Sequence, residues 1–136
     1  MTEWNQKLIG ISSNGPFIMN AAGDKISMPL EKEHKKMPMF SQKNHKYSCL
    51  LSDSEQNLWV GTYNGLTVRD NKNQKLYEIN TDKGLVNNSI KAIVEDKDRS
   101  FWVTTSRGVS HIIKKRTASG LTFRIINHDK YTGVLE

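Results

Sequence analysis

The sequence of 136 residues contains a single cysteine, Cys49, and only three prolines. A lone cysteine excludes an intrachain disulfide framework and a thiolate zinc site built by this chain alone. No apolar run approaches the roughly 18–20 residues that cross a bilayer, so we predict no transmembrane segment. The N-terminus lacks a basic segment followed by an apolar one, so we predict no signal peptide in this chain. A secreted origin stays open if the chain is a piece of a longer protein.

The motifs that usually carry catalysis are also missing. The chain has no glycine-rich phosphate loop ending in Lys-Ser or Lys-Thr, no HExxH, no CxxC and no GxSxG. Its four histidines have no metal-ligand spacing. We expect Cys49 to pack as a small hydrophobic residue on a strand. We therefore predict that this segment is not an enzyme and holds no cofactor and no metal.

The charge is positive but unevenly placed. The chain has 20 Lys and Arg against 14 Asp and Glu, a formal net charge of +6, and 36% hydrophobic residues, which fits one globular domain. The excess positive charge lies in residues 31–46 and 114–116, which are both predicted to be loops. We interpret it as solvated loop charge, with a patch for phosphate or another anion as the alternative. We expect no nucleic-acid partner, because exposed aromatics are not interleaved with the basic residues.

The sequence repeats itself with a period of 43 residues, the distance from Trp59 to Trp102. At this offset residues 47–70 align with 90–113, and five positions are identical: Asp53 with Asp96, Trp59 with Trp102, Val60 with Val103, Thr62 with Thr105, and Gly65 with Gly108. A weaker copy lies upstream at an offset of 50, where Leu8, Asn14 and Gly15 match Leu58, Asn64 and Gly65. A further copy begins at residues 133–136, because Gly133-Val134 echoes Gly84-Leu85.

Each unit is predicted to consist of four short strands that are rich in β-branched and aromatic residues. In the second unit we expect strands at 47–52, 57–62, 66–70 and 75–79. In the third unit we expect strands at 90–94, 101–106, 109–113 and 121–126, with a loop at 114–120 and a tight turn at Arg107-Gly108 in which the glycine supplies a positive φ. In the first unit, residues 7–11 align with a second strand, so its first strand is expected to be missing. Helix should be nearly absent, because no segment has a 3.6-residue period.

A period near 43 residues with four strands and one tryptophan is typical of a β-propeller blade. We therefore predict an all-β fold, an incomplete β-propeller of about three four-stranded antiparallel blades. The whole chain, 1–136, forms this partial propeller, with units at about 1–46, 47–88 and 89–132 and the start of a next unit at 133–136. Four blades of this size exceed the chain length. We thus expect either a piece of a longer protein or copies that assemble end to end.

Two segments identify a family resemblance. The segment 84–96, followed by Phe101-Trp102-Val103-Thr104-Thr105 and Arg107-Gly108-Val109, resembles the two-component regulator propeller repeat, as does the segment 58–66. The resemblance implies an extracytoplasmic sensor propeller of a bacterial hybrid two-component system. Many such sensors are thought to detect oligosaccharides and to control polysaccharide-utilisation genes. It thus implies carbohydrate sensing and signal transduction in the periplasmic part of a membrane-bound sensor.

The chain departs from the family pattern at particular positions. The turn glycine of the pattern is replaced by Gln56 or Asn57 in one unit and by Arg99 or Ser100 in the other, and Ile9 stands where later units have tryptophan. The kinase and receiver domains of such systems are not part of this sequence, so their functions are not assigned to it.

The residues common to the two best copies are interpreted as structural. These repeat positions are Asp53, Trp59, Gly65, Asp96, Trp102 and Gly108. We expect the tryptophans to pack in the blade core, because they bury a large apolar area, and the aspartates to accept hydrogen bonds from turn amides.

Candidate ligand contacts come from loops on one face. If the four strands run up and down, the turns between second and third strands share a face with the connections between blades. The residues that we predict to contact a ligand there are Tyr63, Asn64, Asn87, Asn88, Arg107 and His128. An aromatic ring, amides and a guanidinium suit a sugar or a carboxylate, although all six also fit ordinary turn and surface positions.

These observations lead to one main prediction of function and two alternatives. The main prediction is a ligand-sensing propeller segment that recognises an oligosaccharide or another polysaccharide-derived ligand and regulates transcription through kinase domains outside this chain. The first alternative is a protein-interaction scaffold that associates with itself or with the remaining blades of a parent propeller. The second is a propeller enzyme, a lyase or a glycosidase, with its active site on other blades.

Overall fold

A computed structural model of the protein describes residues 2–4, 7–12, 15–19, 25–27, 47–72 and 75–129. These residues form three four-stranded antiparallel sheets in which the strands follow one another in chain order. The only helical element in these ranges is one 3₁₀ turn, Thr81–Lys83. The predicted all-β architecture with almost no helix is therefore confirmed.

The first sheet contains β1 (Thr2–Trp4), β2 (Lys7–Ser12), β3 (Gly15–Met19) and β4 (Lys25–Ser27). The expectation that this unit lacks its first strand was wrong, because β1 pairs with β2 from Thr2↔Ile9 to Trp4↔Lys7. A three-residue strand is too short to leave a recognisable alternation in the sequence. The basic stretch 31–46 and the predicted next unit at 133–136 lie outside the described residues.

The second sheet contains β5 (Tyr47–Ser52), β6 (Leu58–Thr62), β7 (Gly65–Arg69) and β8 (Leu76–Ile79). Its strand bounds lie within one residue of the predicted ones. The sequence pattern succeeds here because both ends of β6 and β7 are marked by polar turn residues.

The third sheet contains β9 (Ile90–Glu95), β10 (Phe101–Thr105), β11 (Gly108–Thr117) and β12 (Gly120–Asp129). The predicted loop at 114–120 was wrong, because β11 and β12 pair without interruption from Gly108↔Asp129 to Thr117↔Gly120. The basic run Lys114-Lys115-Arg116 led to the prediction of a loop, since three charged residues in sequence are typical of a loop. In the fold, Lys114 and Arg116 are on the side of the strand that faces the second sheet, where they meet carboxylates.

Two equivalent turns differ in backbone conformation. Gly65 has a φ of 114°, as a glycine in a tight hairpin turn permits. Gly108 does not lie in the left-handed region, so the positive φ predicted for it was wrong. Both turns nevertheless share a hydrogen bond, because Thr62 Oγ1 donates to the Gly65 carbonyl and Thr105 Oγ1 to the Gly108 carbonyl, each at 2.9 Å.

The turns between first and second strands are strained at one residue each. Gln56 has a φ of 62° and Arg99 a φ of 65°, a region that costs non-glycine residues about 1–2 kcal/mol. These are the positions at which the family pattern has glycine.

We expect Arg99→Gly to raise the free energy of unfolding by about 0.5–1 kcal/mol, because relief of the left-handed backbone strain outweighs the added flexibility of the unfolded chain. Urea unfolding followed by circular dichroism measures this change. Lys97→Gly is the matched control in the same turn, since Lys97 does not have a positive φ and should lose stability. Equal effects of the two changes would contradict the strain at Arg99.

The core lies between the second and third sheets. The Trp59 ring stacks on Phe101 of the next sheet, with centroids 3.9 Å apart, and both side chains are fully buried. Gly61 permits this approach, because a Cβ atom there would lie 2.6 Å from Cγ2 of Ile90. On the other side of the second sheet, β1 and β2 lie beside β5.

A cluster of charged side chains closes the outer part of the same interface. We call it the charge cluster: Asp53, Glu55 and Asp70 from the second sheet and its turns, and Lys114 and Arg116 from β11. Lys114 Nζ lies 2.9 Å from Asp53 Oδ2 and 2.7 Å from Glu55 Oε1, and Arg116 donates two hydrogen bonds, of 3.0 and 3.1 Å, to the Asp70 carboxylate. The side chains of Asp53 and Asp70 are fully buried, so these pairs replace water as the partners of the carboxylates.

Candidate functional site

The turns and the connection between sheets meet at one end of the second and third sheets. The Gly65 amide donates to the Asn88 carbonyl at 2.7 Å, and the Ser106 amide donates to the Ser89 carbonyl at 3.1 Å. The β8–β9 connection therefore binds to both the β6–β7 and the β10–β11 turn. We call this end, residues 63–64, 80–89 and 106–107, the turn face.

Tyr63 is the exposed aromatic residue of the turn face. Half of its surface is accessible (50%), and the Lys91 ammonium lies 5.4 Å from its ring centroid. A cation at this distance is attracted to the ring and covers part of one face. Sequence reasoning missed Lys91, because an exposed lysine on a strand carries no signal that it lies next to a turn of the preceding sheet.

Asn64 and Asn88 line the same cleft, which has a volume of about 400 Å³. Its other described lining residues combine two hydroxyls, an amide and two carboxylates with two apolar side chains: Thr62, Thr67, Asn80, Glu78, Asp82, Leu66 and Ile79. Such a mixture of hydrogen-bond donors and acceptors suits a hydroxyl-rich ligand. The sequence did not identify Glu78 or Asp82, because they approach Asn64 only through the fold of β8 and the 3₁₀ turn.

The asparagines of the connection also have structural roles. Asn88 Oδ1 accepts the Thr81 amide at 2.9 Å, and Asn87 Oδ1 accepts the Ser89 amide at 2.9 Å. Asparagine side chains that bind nearby backbone amides stabilise turns. Of the two, Asn88 lines the cleft.

Arg107 and His128 lie away from this cleft. Arg107 is exposed in the β10–β11 turn, where its amide donates to Thr105 Oγ1 at 3.2 Å. His128 is opposite Val109 on β12, and its ring centroid lies 6.1 Å from that of Trp102, on the face of the third sheet that points away from the second. The six predicted ligand contacts are therefore not one site.

Two further polar residues hold the connection in place. Ser110 Oγ donates to Asn127 Oδ1 and Asn127 Nδ2 donates to the Gly84 carbonyl, both at 2.6 Å, and the Val86 amide donates to Ser110 Oγ at 3.1 Å. These bonds tie the β8–β9 connection to β11 and β12. Nothing in the sequence indicates this role, since a serine and an asparagine on strands are common.

The equivalent aspartate and tryptophan of the repeat form the same hydrogen bond in the two sheets. Asp53 accepts the amides of Glu55 and Asn57 and the indole N–H of Trp59, each at 2.9 Å. Asp96 accepts the indole N–H of Trp102 at 3.1 Å. The carboxylate of each unit thus anchors the tryptophan of the same unit.

The described residues contain no group of three His, Cys, Asp or Glu side chains that could hold a metal ion. Cys49 is half-buried, and its burial raises the pKa of the thiol, which lowers the thiolate fraction. Within the same residues, no helix has the length and hydrophobicity needed to cross a membrane.

Comparison with known proteins now identifies the repeat. Residues 41–64 and 84–107 each match the sequence profile of the two component regulator propeller. These two segments are similar to the two component regulator propeller repeat. Each matched segment includes the tryptophan strand and the turn that follows it, so most of the turn face, residues 63–64, 84–89 and 106–107, lies within the matched segments.

A solved structure has the same fold. The extracellular domain of a protein assigned as a one component system of B. thetaiotaomicron matches 88% of this chain, with a TM-score of 0.59 and 23% sequence identity. The match covers 14% of that protein chain, so the segment spans a small part of its length. The repeats and this likeness confirm the predicted all-β, partial β-propeller fold. No curated protein matches the chain.

Proposed function

We propose that this propeller segment is the ligand-sensing part of a signalling sensor outside the cytoplasm and that it recognises an oligosaccharide at the cleft of the turn face. The family repeats support a sensor of the two-component type. The extracellular location of the similar structure supports the compartment. Attachment of the parent sensor to the membrane is part of the proposal.

The cleft beside Asn64 carries the proposal for the ligand. It combines amide, hydroxyl and carboxylate groups, and its two apolar lining residues, Leu66 and Ile79, are themselves buried. A sugar presents hydroxyl groups at its edge, which pair with these polar groups. The exposed ring of Tyr63 next to the cleft adds apolar contact area.

Signalling follows from a difference in affinity between two states. A ligand that binds one arrangement of a sensor dimer more tightly shifts the population toward it. In the proposed mechanism the kinase domains respond to this shift, and the segment itself performs no catalytic step.

The test is a thermal-shift and calorimetric screen of the chain against neutral, amino and acidic oligosaccharides. We expect at least one class to raise Tm, because a ligand that binds only the folded state stabilises it. Asn64→Ala should weaken the binding of that ligand by about tenfold, since a lost hydrogen bond to a bound ligand costs about 1.4 kcal/mol.

Lys97→Ala is the matched control, because Lys97 is exposed in the turn at the opposite end of the third sheet. It should leave the affinity unchanged. The proposal is wrong if no oligosaccharide stabilises the chain or if Asn64→Ala and Lys97→Ala have the same effect.

A further inference from the structure

The cleft of the turn face contains polar side chains that form no hydrogen bond or ion pair with the part of the chain that the structure describes. They are the Thr67 hydroxyl and the carboxylates of Glu78 and Asp82. At the opposite end of the second sheet, by contrast, every carboxylate of the charge cluster is paired with Lys114 or Arg116. Both carboxylates of the cleft can therefore accept hydrogen bonds from a bound molecule.

The repeat places an equivalent pair of side chains in the third sheet. Thr67 is opposite Glu78 across β7 and β8, and Ser110 is opposite Asn127 across β11 and β12. Thr67 and Ser110 are 43 residues apart, which is the repeat period. The two pairs thus occupy the same place in their sheets and can be compared directly.

In the third sheet this pair is occupied by main-chain groups. The Val86 amide donates to Ser110 Oγ at 3.1 Å, and Asn127 Nδ2 donates to the Gly84 carbonyl at 2.6 Å. Both partners belong to the β8–β9 connection, which arrives from the neighbouring sheet. This position of the repeat therefore binds polar groups that approach from outside its own sheet.

Glu78 changes which groups this position can bind. Asn127 both donates and accepts, because its Oδ1 also accepts a hydrogen bond from Ser110 Oγ at 2.6 Å. An ionised carboxylate only accepts, so a partner of Glu78 has to present N–H or O–H groups. Asp82 adds a second group that only accepts to the same cleft.

The cleft is negative although the chain is positive. Its described lining residues include two carboxylates and no lysine, arginine or histidine. Lys83 follows Asp82 in sequence but lines a separate groove between β8 and β12, and the Lys91 ammonium lies over the ring of Tyr63. The net charge of +6 attracts anions to the chain as a whole. A preference for a cation would consequently have to come from the cleft itself.

We propose that the oligosaccharide recognised at this cleft carries free amino groups, as in a glucosamine polymer, and that the carboxylates of Glu78 and Asp82 bind an ammonium group of the sugar. This inference rests on the proposed function and names the chemical class of its ligand. An ammonium group has three donors, and hydrogen bonds between ionised groups are about twice as strong as those between neutral groups. The hydroxyl groups of the sugar pair with Thr67 and Asn64.

Other oligosaccharides match the cleft less well. An acidic oligosaccharide would place like charges beside Glu78 and Asp82, which is unfavourable. A neutral oligosaccharide offers these carboxylates only hydroxyl donors, and water supplies hydroxyl donors equally well. Only an amino sugar combines hydroxyl groups with the charge that the two carboxylates lack.

The test compares the trisaccharides of glucosamine, N-acetylglucosamine and glucose, all with the same linkage, by isothermal titration calorimetry. We expect the glucosamine trisaccharide to bind about tenfold more tightly than the other two at low ionic strength. Added salt should reduce this preference, because it screens charges at an exposed site. Glu78→Gln and Asp82→Asn should each reduce the preference severalfold and leave the affinity for the glucose trisaccharide unchanged.

Asp98→Asn is the matched control, because it removes the same charge from an exposed turn at the opposite end of the third sheet. It should leave the preference unchanged. Equal affinities for the three trisaccharides, tighter binding of an acidic one, or equal effects of Asp98→Asn and Glu78→Gln would overturn the inference. In each of these cases an oligosaccharide still binds, so the proposed function stands. If no oligosaccharide of any class binds, the proposed function fails and this inference fails with it.

Discussion

Asp53→Ala is expected to lower the free energy of unfolding by about 3–5 kcal/mol, the usual cost of removing one partner of a buried ion pair. Asp53 is 2% exposed and accepts hydrogen bonds from Trp59 and from Lys114, whose side chain is 4% exposed. Without the carboxylate, the indole N–H loses its partner and the buried ammonium keeps only Glu55, at 2.7 Å. Urea unfolding followed by circular dichroism measures the loss.

The repeat supplies a matched control at Asp96. Its carboxylate also accepts a tryptophan indole N–H, at 3.1 Å, but it is exposed and no cation is bound to it among the described residues. Asp96→Ala should therefore cost only about 1 kcal/mol, the value of an ordinary hydrogen bond. Equal losses at Asp53 and Asp96 would show that Lys114 contributes nothing to the buried site.

The same charge cluster should make the chain sensitive to acid. Burial alone would raise the pKa of Asp53, but hydrogen bonds from Lys114, Trp59 and Asn57 hold this pKa below its ordinary value. The hydrogen bond and charge of Lys114 likewise lower the pKa of Glu55. A carboxylate with a lowered folded pKa stabilises the fold above the unfolded pKa of about 4, and the gain is lost as the pH falls through the folded value.

Stability measured between about pH 2 and pH 6 tests this coupling. The wild-type chain should lose stability as the pH falls below about 4. Lys114→Met should flatten this dependence, because it removes the cation that lowers both pKa values while keeping most of the apolar volume. An unchanged slope in Lys114→Met would contradict the coupling.

Much of the fold could be predicted because it depends on local patterns. Alternating apolar residues and polar turns located β5 to β8 within one residue, and the repeat of Trp59 at Trp102 identified the architecture. The extension of β11 through Lys114 and Arg116 could not be predicted in this way. Its charges are paired with Asp53, Glu55 and Asp70, which are more than forty residues away in sequence.

Only the part of the candidate site that follows from the order and direction of the strands could be predicted. Up-and-down strands bring turns and connections to one end, and this placed Tyr63, Asn64 and Asn88 together. Which side chains complete the cleft depends on the 3₁₀ turn that carries Asp82 and on pairing of β7 with β8, neither of which leaves a motif. His128 was assigned to the same face because its strand was predicted to end at 126, whereas β12 continues to Asp129.

Trp59→Ala should lower the free energy of unfolding by about 3–5 kcal/mol, as much as Asp53→Ala. The ring is fully buried, stacks on Phe101 at 3.9 Å and meets Phe123 edge-on at 5.8 Å. Removing it opens a cavity between the second and third sheets, because the aromatic side chains around it belong to the rigid strands β10 and β12.

The equivalent substitution, Trp102→Ala, tests whether the tryptophan stabilises the fold by its burial between two sheets or by its contacts within its own sheet. Trp102, like Trp59, is followed by a valine and donates its indole N–H to an aspartate six residues earlier, but in the described residues its outer ring face meets no further sheet. Trp102→Ala should therefore cost about 1–2 kcal/mol, the part of the ring's apolar area that its own sheet covers. If both substitutions cost the same in urea unfolding, the stabilisation would come from the tryptophan within its own sheet. Packing between sheets would then not be what holds the second and third units together.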